Sequence, residues 1–436
     1  MSRRLPLTAD PITARIESLS HDGRGVAHIG GKTVFVDNAL PGEEVHLRYA
    51  RRRGRYDEAV ATEILESSSQ RVTPQCPHFG ICGGCSLQHL APAAQLAHKQ
   101  QVLLEQLAHI GRVEPEKILP PISGPRWGYR RRARLGVRWV AKKERIVIGF
   151  REKNSRHVAD LATCPVLHPT VGDKIVELRE LIGALDCSQQ IPQIEVSVDD
   201  HGAALTVRHL RALTERDQER LQQAAEQNHW LVYSQAGGVD SVIPIAPPPT
   251  RVLSFQIPRH GVTLHFAPLD FIQVNADVNL AVIDRVIELL EPHATDSVLD
   301  LYCGLGNFTL PLARYVGKIV GVEGETGLIT RTRENARLNG LANADFVQAD
   351  LTNAEPPTGP FNKVLLDPPR TGALEILGRL NLSDVQRLVY VSCNPATLAR
   401  DAGALVHERG LSLVSAGVMD MFPYTSHVES IALFQS

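Results

Sequence analysis

The sequence has 436 residues, of which 43% are hydrophobic and 22% charged, with a formal net charge of −2. This length predicts two or three domains, and the apolar content is sufficient for packed cores, which argues against a disordered chain. The N-terminal residues lack a signal-peptide pattern, and no apolar run could span a bilayer. We therefore expect a cytoplasmic protein with no membrane partner, in which the seven cysteines serve metal binding, catalysis or packing instead of disulfides.

Residues 1–65 consist of short segments rich in Val, Ile and Tyr, separated by Gly-rich and Pro-Gly turns. Five such segments predict a small closed β-barrel. Four arginines surround Gly54 between the last two predicted strands (Arg51, Arg52, Arg53 and Arg55). These arginines form either a solvated hairpin tip or an edge that binds phosphates.

Residues 66–265 open with a cysteine cluster, C-x5-C-x2-C, formed by Cys76, Cys82 and Cys85. Cys164 is the best candidate for a fourth thiolate. Four thiolates bind either zinc or a four-iron cluster, and the spacing does not choose between them. The spacing differs from the C-x3-C-x2-C of radical enzymes, which argues against radical methylation. Because the cluster lies away from the predicted cofactor turn, we expect a structural or RNA-docking role for it instead of redox chemistry.

A predicted helix from about residue 92 to 110 leads into the most basic part of the chain. Between Arg126 and Asp160 there are 12 Lys or Arg and 3 Asp or Glu side chains, a net charge of +9. Alternating apolar residues there predict antiparallel strands whose arginines project from the opposite face. The positive charge of this segment indicates an RNA partner, although the net charge of the whole chain is close to zero.

Residues 266–436 alternate strands with helices, which predicts a parallel sheet covered by helices on both faces. In the segment VLDLYCGLGNF, a strand ends in a turn with Gly304 and Gly306 that opens a helix. Asp300 precedes this turn, and Glu323 ends the next strand, where a carboxylate can accept hydrogen bonds from ribose. Asp350, expected at the end of a third strand, could accept an adenine amino group. A phosphate-bearing ligand would favour a Lys-Ser/Thr cradle, which is absent here.

Two further predicted strand ends carry reactive side chains, with Asp367 in LLDPPR and Cys393 in VSCNP, and Glu429 follows near the C-terminus. Arg370 stands where amino-group methyltransferases have an aromatic residue, which argues against methylation of an exocyclic amine. Methylation at carbon 5 of uracil needs a thiolate that adds to carbon 6 and a base that removes the carbon 5 proton. Cys393 and Glu429 are candidates for these two roles.

Each of these residues also has a simpler interpretation. A single cysteine at a strand end is more often a small buried residue, and a single glutamate is more often a surface charge. Two other functions stay open: a non-catalytic RNA-binding protein on a methyltransferase scaffold, and an RNA cytosine-5 methyltransferase. The cytosine-5 alternative lacks a carboxylate after Pro-Cys to protonate the ring.

The SCNP motif at Cys393, the HVES motif at Glu429, the glycine turn and the cysteine cluster resemble the RNA uracil-5 methyltransferases along the whole chain. The resemblance implies an α/β plus β architecture in three parts. These are an N-terminal OB-like barrel called a TRAM domain (1–65), a central iron–sulfur α+β domain (66–265) and a C-terminal Rossmann-like class I methyltransferase domain (266–436).

The resemblance also implies the roles of particular residues. Cys393 would be the nucleophile and Glu429 the base. The S-adenosylmethionine site would be lined by Gln273, Tyr302, Asn307, Glu323, Asp350 and Asp367. A 4Fe-4S cluster would be bound by Cys76, Cys82, Cys85 and Cys164.

The combination of barrel and cysteine cluster is similar to that of the family members that methylate 23S ribosomal RNA at a position of the 1939 type. Members that methylate both the 747 and the 1939 positions are one alternative. The tRNA uracil-54 enzymes are another, although they lack the cysteine cluster. We expect 23S ribosomal RNA as the partner and a monomeric protein.

Overall fold

The computed structural model of the protein describes residues 11–245 and 251–436. Two units are discernible, and each is assembled from separate stretches of chain. The first contains the residues up to Val102, Glu152–Ser155 and Pro423–His427; the second contains Leu103–Arg151, Arg156–Phe422 and Val428–Ser436. The three-domain division expected from the sequence stays a prediction. Residues 1–10 of the predicted barrel and the predicted connection at 246–250 lie outside the described residues.

The first unit is built around one curved β-sheet. Its strands are β1 Ile12–Arg15, β2 Ser18–Leu19, β3 Gly25–Ile29, β4 Lys32–Asp37, β5 Glu44–Arg52 and β6 Tyr56–Glu66. They pair in the order β1-β5-β6-β4-β3-β2, so the described residues form six strands where the sequence predicted five. Alternate residues such as Val34, Val36, Val45 and Leu47 are fully buried in a single apolar core.

The predicted helix after the cysteine cluster is confirmed as α1 Pro92–Gln106, which continues as one π-helical turn, Leu107–Gly111. Beyond it, the described residues of the second unit form a six-stranded mixed sheet, a two-stranded hairpin and an eight-stranded sheet. The elements up to residue 245 are β7 Lys117–Ile118, β8 Arg132–Val140, β9 Arg145–Gly149, α2 Pro169–Gly172, α3 Ile175–Gly183, β10 Gln193–Asp199, β11 Gly202–Arg208, α4 Glu215–Asn228, β12 Leu231–Gln235 and β13 Val242–Pro244. Strands β8 to β13 form a mixed sheet in the order β13-β12-β11-β10-β8-β9.

The basic strands predicted from the sequence are β8 and β9, which pair antiparallel. In β8, Leu135 and Val137 are buried while Arg134 and Arg138 are exposed, as the alternation predicted. Trp139 departs from the prediction because its side chain is 38% exposed. In β9, the alternation also fails, since Ile146, Val147 and Ile148 are all buried.

The remaining elements are the two-stranded hairpin, the other strands of the eight-stranded sheet and the helices among them. They are β14 Leu253–Ile257, β15 Val262–Phe266, α5 Ala276–Leu290, β16 Ser297–Leu301, α6 Thr309–Ala313, β17 Lys318–Glu323, α7 Thr326–Leu338, β18 Ala344–Gln348, β19 Lys363–Leu366, α8 Leu374–Arg379, β20 Arg387–Ser392, α9 Pro395–His407, β21 Ser412–Met419 and β22 Glu429–Gln435. β14 and β15 pair with each other as a separate hairpin.

The eight-stranded sheet has the order β18-β17-β16-β19-β20-β22-β21-β7. Its first five strands are parallel, which confirms the predicted α/β arrangement. β16, β19 and β20 are almost entirely buried because helices cover both faces. The strand order reverses between β16 and β19, and a reversal of this kind opens a crevice at the carboxyl ends of the two strands.

Three details differ from the sequence predictions. The helix predicted after the glycine turn, over NFTLPLARYV, is shorter in the structure, where α6 begins at Thr309 and ends at Ala313. β18 ends at Gln348, so Asp350 lies beyond the strand instead of closing it. β7, which the sequence assigned to the central region, pairs in parallel with β21 at the edge of the eight-stranded sheet. No helix among the described residues is long and apolar enough to cross a membrane.

Candidate active site

Cys393 and Glu429 are brought together by the register of two neighbouring strands. β22 pairs antiparallel with β20, and Ser392 at the end of β20 lies opposite Ser430 near the start of β22. Cys393 follows Ser392, and Glu429 precedes Ser430, so nucleophile and base candidates leave the same edge of the sheet side by side. The Ser430 hydroxyl also donates to the Ser392 carbonyl oxygen at 3.4 Å.

The turn that carries Cys393 is fixed by its neighbours. The Ser392 hydroxyl accepts the Asn394 N–H at 3.1 Å and donates to the Asn394 carbonyl at 3.0 Å. Asn394 caps α9, because its side-chain oxygen accepts the Ala396 N–H at 3.1 Å, and Pro395 occupies the first helical position. The partly buried Cys393 is therefore fixed between a strand end and a helix start.

Asp367 lies on the same edge of the sheet. It directly follows β19, and its N–H donates to the Leu301 carbonyl at 3.3 Å. Burial raises the pKa of its carboxyl group well above the ordinary value, and the nearby Glu429 and Asp300 carboxylates raise it further. Burial likewise raises the pKa of the Cys393 thiol to about 11, reinforced by Glu429 and Asp367 and opposed by the Arg370 guanidinium.

Arg370 is a residue whose contribution the sequence analysis missed. Its carbonyl oxygen accepts hydrogen bonds from the Asn394 side chain at 3.0 Å and from the Thr397 hydroxyl at 3.3 Å. These contacts attach the Asp367–Arg370 loop to the turn of Cys393. The sequence used Arg370 only as evidence against amine methylation. Its position beside an acidic cluster is set by folding, and no local pattern indicates it.

The glycine turn lies where the strand order reverses. Tyr302 and Gly304 have positive φ angles of 66° and 54°, and a Cβ atom at Gly304 would meet open space. The Glu323 carboxylate accepts three backbone N–H groups, from Gly304 at 3.2 Å, Gly324 at 2.7 Å and Glu325 at 3.1 Å. The carboxylate is thereby held beside the glycine turn at the end of β17, and its predicted contact with ribose stays a prediction.

Asp300 is buried directly behind this turn. Its Oδ2 accepts the Thr309 hydroxyl at 2.5 Å, while its Oδ1 is buried without a hydrogen-bond partner among the described residues. Burial raises the pKa of Asp300 to about 7, and the Glu323 carboxylate adds to that effect. Asp300, Glu323 and Asp367 together place three carboxyl groups at this edge of the sheet, and their closeness is part of what raises the pKa of Asp300 and Asp367.

Asn307 lies in the glycine turn and contacts α5, and Gln273 lies just before the start of that helix. Gln273 lines a cavity of about 200 Å³, and Asn279 of α5 lines the same cavity. The amides of Asn279 and Asn307 are hydrogen-bonded to each other. Asn279 was not singled out in the sequence, although an asparagine between apolar positions of a buried helix face is a recognisable signal.

Asp350 is arranged differently from the other predicted cofactor residues. It is exposed, and its carboxylate accepts the Thr352 N–H and hydroxyl and the Asn353 side-chain amide. These local bonds lower the pKa of Asp350. The carboxylate thus closes a turn of its own loop, and its predicted contact with adenine stays a prediction.

Three of the four predicted metal ligands lie in a segment with little regular structure between β6 and α1. None of the seven cysteines forms a disulfide. The Gly84 N–H donates to the Cys82 sulfur at 3.4 Å, and the Gln88 side-chain oxygen accepts the Cys76 N–H at 3.2 Å. Cys164 is buried and belongs to the second unit. In the part of the chain that the structure describes, no group of three or more His, Cys, Asp and Glu side chains is arranged to bind a metal ion.

The same segment is bound to a distant stretch of chain within the first unit. The Ser86 and Leu87 N–H groups both donate to the Tyr424 carbonyl at 2.9 Å. The Gln95 side chain accepts the Tyr424 N–H at 3.0 Å and donates to the Leu87 and Leu90 carbonyls. The residues just after Cys85 are therefore packed against Pro423–His427.

Comparison with known proteins agrees with this arrangement. Residues 254–436 match the family model described as tRNA (Uracil-5-)-methyltransferase, and residues 12–70 match the TRAM domain of tRNA (uracil(54)-C(5))-methyltransferase. The solved structure of the Pyrococcus abyssi tRNA (uracil-54, C5)-methyltransferase in complex with S-adenosyl-L-homocysteine is 25% identical, with a TM-score of 0.74 over 97% of this chain and 99% of that one. The predicted TRAM and methyltransferase parts are thereby confirmed.

Curated relatives narrow the family. The 23S rRNA (uracil(1939)-C(5))-methyltransferase RlmD of Xanthomonas axonopodis pv. citri is 51% identical over 98% of both chains. The enzyme of the same name from Alkalilimnicola ehrlichii is 51% identical over 99% of this chain and 98% of its own. The protein belongs to the family of 23S rRNA (uracil(1939)-C(5))-methyltransferases.

The site suits S-adenosylmethionine, the methyl donor of this family. The donor carries a positive sulfonium and an ammonium group and has no phosphate. The acidic edge formed by Asp300, Glu323 and Asp367 attracts such a cation and would repel a nucleotide phosphate. The unpartnered Oδ1 of Asp300 and the open space at Gly304 leave an acceptor and room at the turn.

The high pKa of Cys393 predicts how its alkylation depends on pH. In the free protein, iodoacetamide should modify Cys393 slowly at neutral pH, with a midpoint near its pKa of about 11. Glu429→Gln removes a negative neighbour and should move the midpoint down, whereas Arg370→Gln removes the positive one and should move it up. Mass spectrometry of the Cys393 peptide measures both. A wild-type midpoint at or below the ordinary thiol value would contradict this electrostatic picture.

The raised pKa of Asp300 predicts a pH dependence of donor binding. Above about 7 its carboxyl group is ionised and attracts the donor, and below about 7 it is neutral, so affinity should fall as the pH falls. Linkage to one proton limits the loss to about tenfold per pH unit. Calorimetric titration with S-adenosylmethionine measures the slope, and Asp300→Asn should flatten it. An affinity that rises on acidification would be inconsistent with this charge arrangement.

Proposed function

We propose that the protein transfers a methyl group from S-adenosylmethionine to carbon 5 of a uridine of the 1939 type in 23S ribosomal RNA, using Cys393 as nucleophile and Glu429 as base. The observation that carries this proposal is the pairing of Ser392 with Ser430, which places both side chains at one edge of the sheet beside Asp367. The relatives that are 51% identical over nearly the whole chain support the choice of RNA.

The chemistry requires both residues. The Cys393 sulfur adds to carbon 6 of the uracil and forms a C–S bond, and the ring electrons move toward carbon 5 and its neighbouring carbonyl. Carbon 5 attacks the methyl group, and S-adenosylhomocysteine leaves with the electrons of the broken S–CH3 bond. Carbon 5 then carries both hydrogen and methyl. Glu429 removes the proton, the C–C double bond reforms, and the thiolate leaves carbon 6.

The ionisation of the site suits this sequence. With a pKa of about 11, the Cys393 thiol is protonated while no substrate is bound, so it must pass its proton to a neighbouring carboxylate or to water as its sulfur bonds to carbon 6 of the uracil. The neighbouring carboxylates that raise this pKa also disfavour a free thiolate that could react elsewhere. Arg370 is the positive group that opposes them, which makes it a candidate for stabilising negative charge on the cysteine or on the ring.

Basic residues in each unit suit the backbone of structured RNA. In the second unit, Arg134 and Arg138 project from the outer face of β8. In the first unit, Arg51 and Arg53 at the end of the β5–β6 hairpin both pair with Glu58, and Arg55 is exposed. The target uridine would have to be rotated out of the RNA structure to reach Cys393, at a cost of a few kcal/mol that such backbone contacts offset.

We further propose that Cys76, Cys82, Cys85 and Cys164 bind a 4Fe-4S cluster. Four thiols outside any disulfide form a suitable donor set for it. The Gly84 N–H directed at the Cys82 sulfur is of the kind that stabilises a ligating thiolate. The Gln88 amide, which accepts the Cys76 N–H, has its buried Nε2 unpartnered in the described structure, so an acceptor is missing beside this cysteine. When bound, the cluster would join the four cysteines and so stabilise the segment between β6 and α1. Methyl transfer involves no electron transfer, so the proposed role of the cluster is structural.

A monomer in the cytoplasm is part of the proposal. Cys393, Glu429 and Asp367 come from one chain, so catalysis needs no second copy.

A second candidate function is methylation of tRNA at uracil 54. It is favoured by the likeness to the Pyrococcus abyssi enzyme over 97% of this chain. Methylation at two 23S positions, 747 and 1939, remains within the same chemistry.

Methyl transfer tests the function directly. Protein prepared without oxygen is incubated with labelled S-adenosylmethionine and with unmethylated 23S RNA or tRNA, and the label is mapped by nuclease digestion and mass spectrometry. We expect one 5-methyluridine at the 1939-type site and no product from Cys393→Ser. Glu429→Gln should transfer the label but remain attached to the RNA in detergent, because the carbon 5 proton is not removed. Label on tRNA alone would refute the 23S assignment, and a second labelled 23S site would indicate the dual-site enzyme.

The cluster is tested by its iron content. Anaerobically purified wild-type protein should contain about four irons and four sulfides per chain, as a 4Fe-4S cluster requires, with a brown absorption band. Cys82→Ser and Cys164→Ser should each lose most of the iron, whereas Cys187→Ala, a buried cysteine outside the set, should retain it. Equal iron in all four proteins, or zinc in place of iron, would reject the assignment.

A further inference from the structure

Asn279 is a polar residue on an otherwise apolar helix face. The buried residues of α5 are Val278, Asn279, Val282, Ile283, Val286, Leu289 and Leu290. Asn279 is only 4% exposed. A buried amide on such a face lowers stability unless its hydrogen bonds are made inside the protein, so the position calls for a specific partner.

That partner is Asn307 in the glycine turn. The Asn279 Nδ2 donates to the Asn307 Oδ1 at 2.8 Å, and the Asn307 Nδ2 donates back to the Asn279 Oδ1 at 2.9 Å. Two reciprocal bonds between planar amides fix the distance between the groups and also the rotation of each amide plane. One bond would leave that rotation free. The backbone of the turn is already restrained, since the Gly304 N–H donates to Glu323 and the Thr332 hydroxyl donates to the Gly304 carbonyl, so what the pair adds is the orientation of the Asn307 amide.

The pair leaves part of the Asn307 amide available. A side-chain amide has two N–H groups and an oxygen with two lone pairs. The reciprocal bonds use one N–H and one lone pair, so one of each remains and points away from Asn279. Asn279 also lines the cavity of about 200 Å³ that Gln273 lines, which joins the pair to another predicted donor contact.

We propose that Asn279 is a positioning residue for the methyl donor, which holds the Asn307 amide so that its remaining N–H and oxygen face S-adenosylmethionine. The inference rests on the proposed function, since it needs the donor to bind at this turn. It assigns to α5 a role that apolar packing does not explain. A leucine of similar size would pack better on that face and would leave the Asn307 amide free to rotate.

Two substitutions of nearly equal size separate positioning from packing. Asn279→Leu removes both reciprocal bonds and should weaken S-adenosylmethionine binding roughly 10- to 100-fold, as expected for two lost hydrogen bonds. The affinity for 23S RNA should stay within about twofold, since the ordinary effect of a distant substitution is small. Binding is measured by calorimetry in the Cys393→Ser background, where turnover is absent.

Asn279→Asp makes the test depend on one proton. An ionised aspartate can accept from the Asn307 Nδ2 but repels its oxygen, whereas a protonated aspartic acid donates to that oxygen and restores the reciprocal pair. Burial raises the pKa of such a carboxyl, which brings the protonated form into an accessible pH range. At each pH, the affinity of this variant for S-adenosylmethionine is divided by the affinity of the otherwise identical Asn279 protein. We expect this ratio to rise toward one as the pH falls. The division cancels the opposite trend expected from Asp300.

The outcomes are distinct. Unchanged donor affinity in Asn279→Leu, or a ratio for Asn279→Asp that does not change with pH, would show a purely structural pair and overturn the inference. If Asn279→Leu does not fold, the pH dependence of Asn279→Asp decides alone. Failure of the parent protein to bind S-adenosylmethionine at any pH would instead refute the proposed function, which separates the two failures.

Discussion

The pairing of Ser392 with Ser430 across β20 and β22 is the constraint on which the rest of the active site depends. β22 lies between β20 and β21 and runs antiparallel to both, so it begins at the edge where the parallel strands end. Side chains alternate between the faces of a strand, and a slip of one residue would move Glu429 to the opposite face. The residues from Ile431 to Phe434 are buried on both faces of the strand and differ in size, so a slip would bring side chains of the wrong size into each packed face. Packing in the sheet therefore sets the distance between a nucleophile and a base that are far apart in sequence.

The charge distribution follows from the same edge. Asp300, Glu323, Asp367 and Glu429 all lie at or beside the carboxyl ends of strands. Burial and mutual repulsion raise the pKa of Asp300 and of Asp367. This repulsion is a cost for the protein without ligands, and a bound cation offsets it. The same acidic cluster thus has two effects: it favours binding of a sulfonium donor, and it raises the pKa of the Cys393 thiol. The donor leaves as an uncharged thioether after transfer, so part of the attraction disappears when the product forms.

Much of the fold was predictable because its signals are local. Alternating strands and helices, the glycine turn at Gly304 and the apolar strand before Cys393 each lie within about ten residues of sequence. The contacts that complete the site are not local. β7 joins β21 across nearly three hundred residues, and Asn279 meets Asn307 across 28. At Asp350 the prediction failed because of a local interaction. The strand was expected to end at Asp350 but ends at Gln348, and the Asp350 carboxylate instead accepts hydrogen bonds from Thr352 and Asn353. Short-range hydrogen bonding competed successfully with the strand pattern there.

The contact between Ser86 and Ser426 has a consequence for the order of events during synthesis. These residues hydrogen-bond within the first unit at a separation of 340 residues. A ribosome adding roughly 5–20 residues per second needs tens of seconds to cover that distance. The strands of the first sheet are complete long before then, since β6 ends at Glu66. The stretch with Cys76, Cys82 and Cys85 emerges next, yet its contact with Ser426 can form only after that residue has been synthesised. Throughout that interval, metals and oxidants in the cell have access to these thiols.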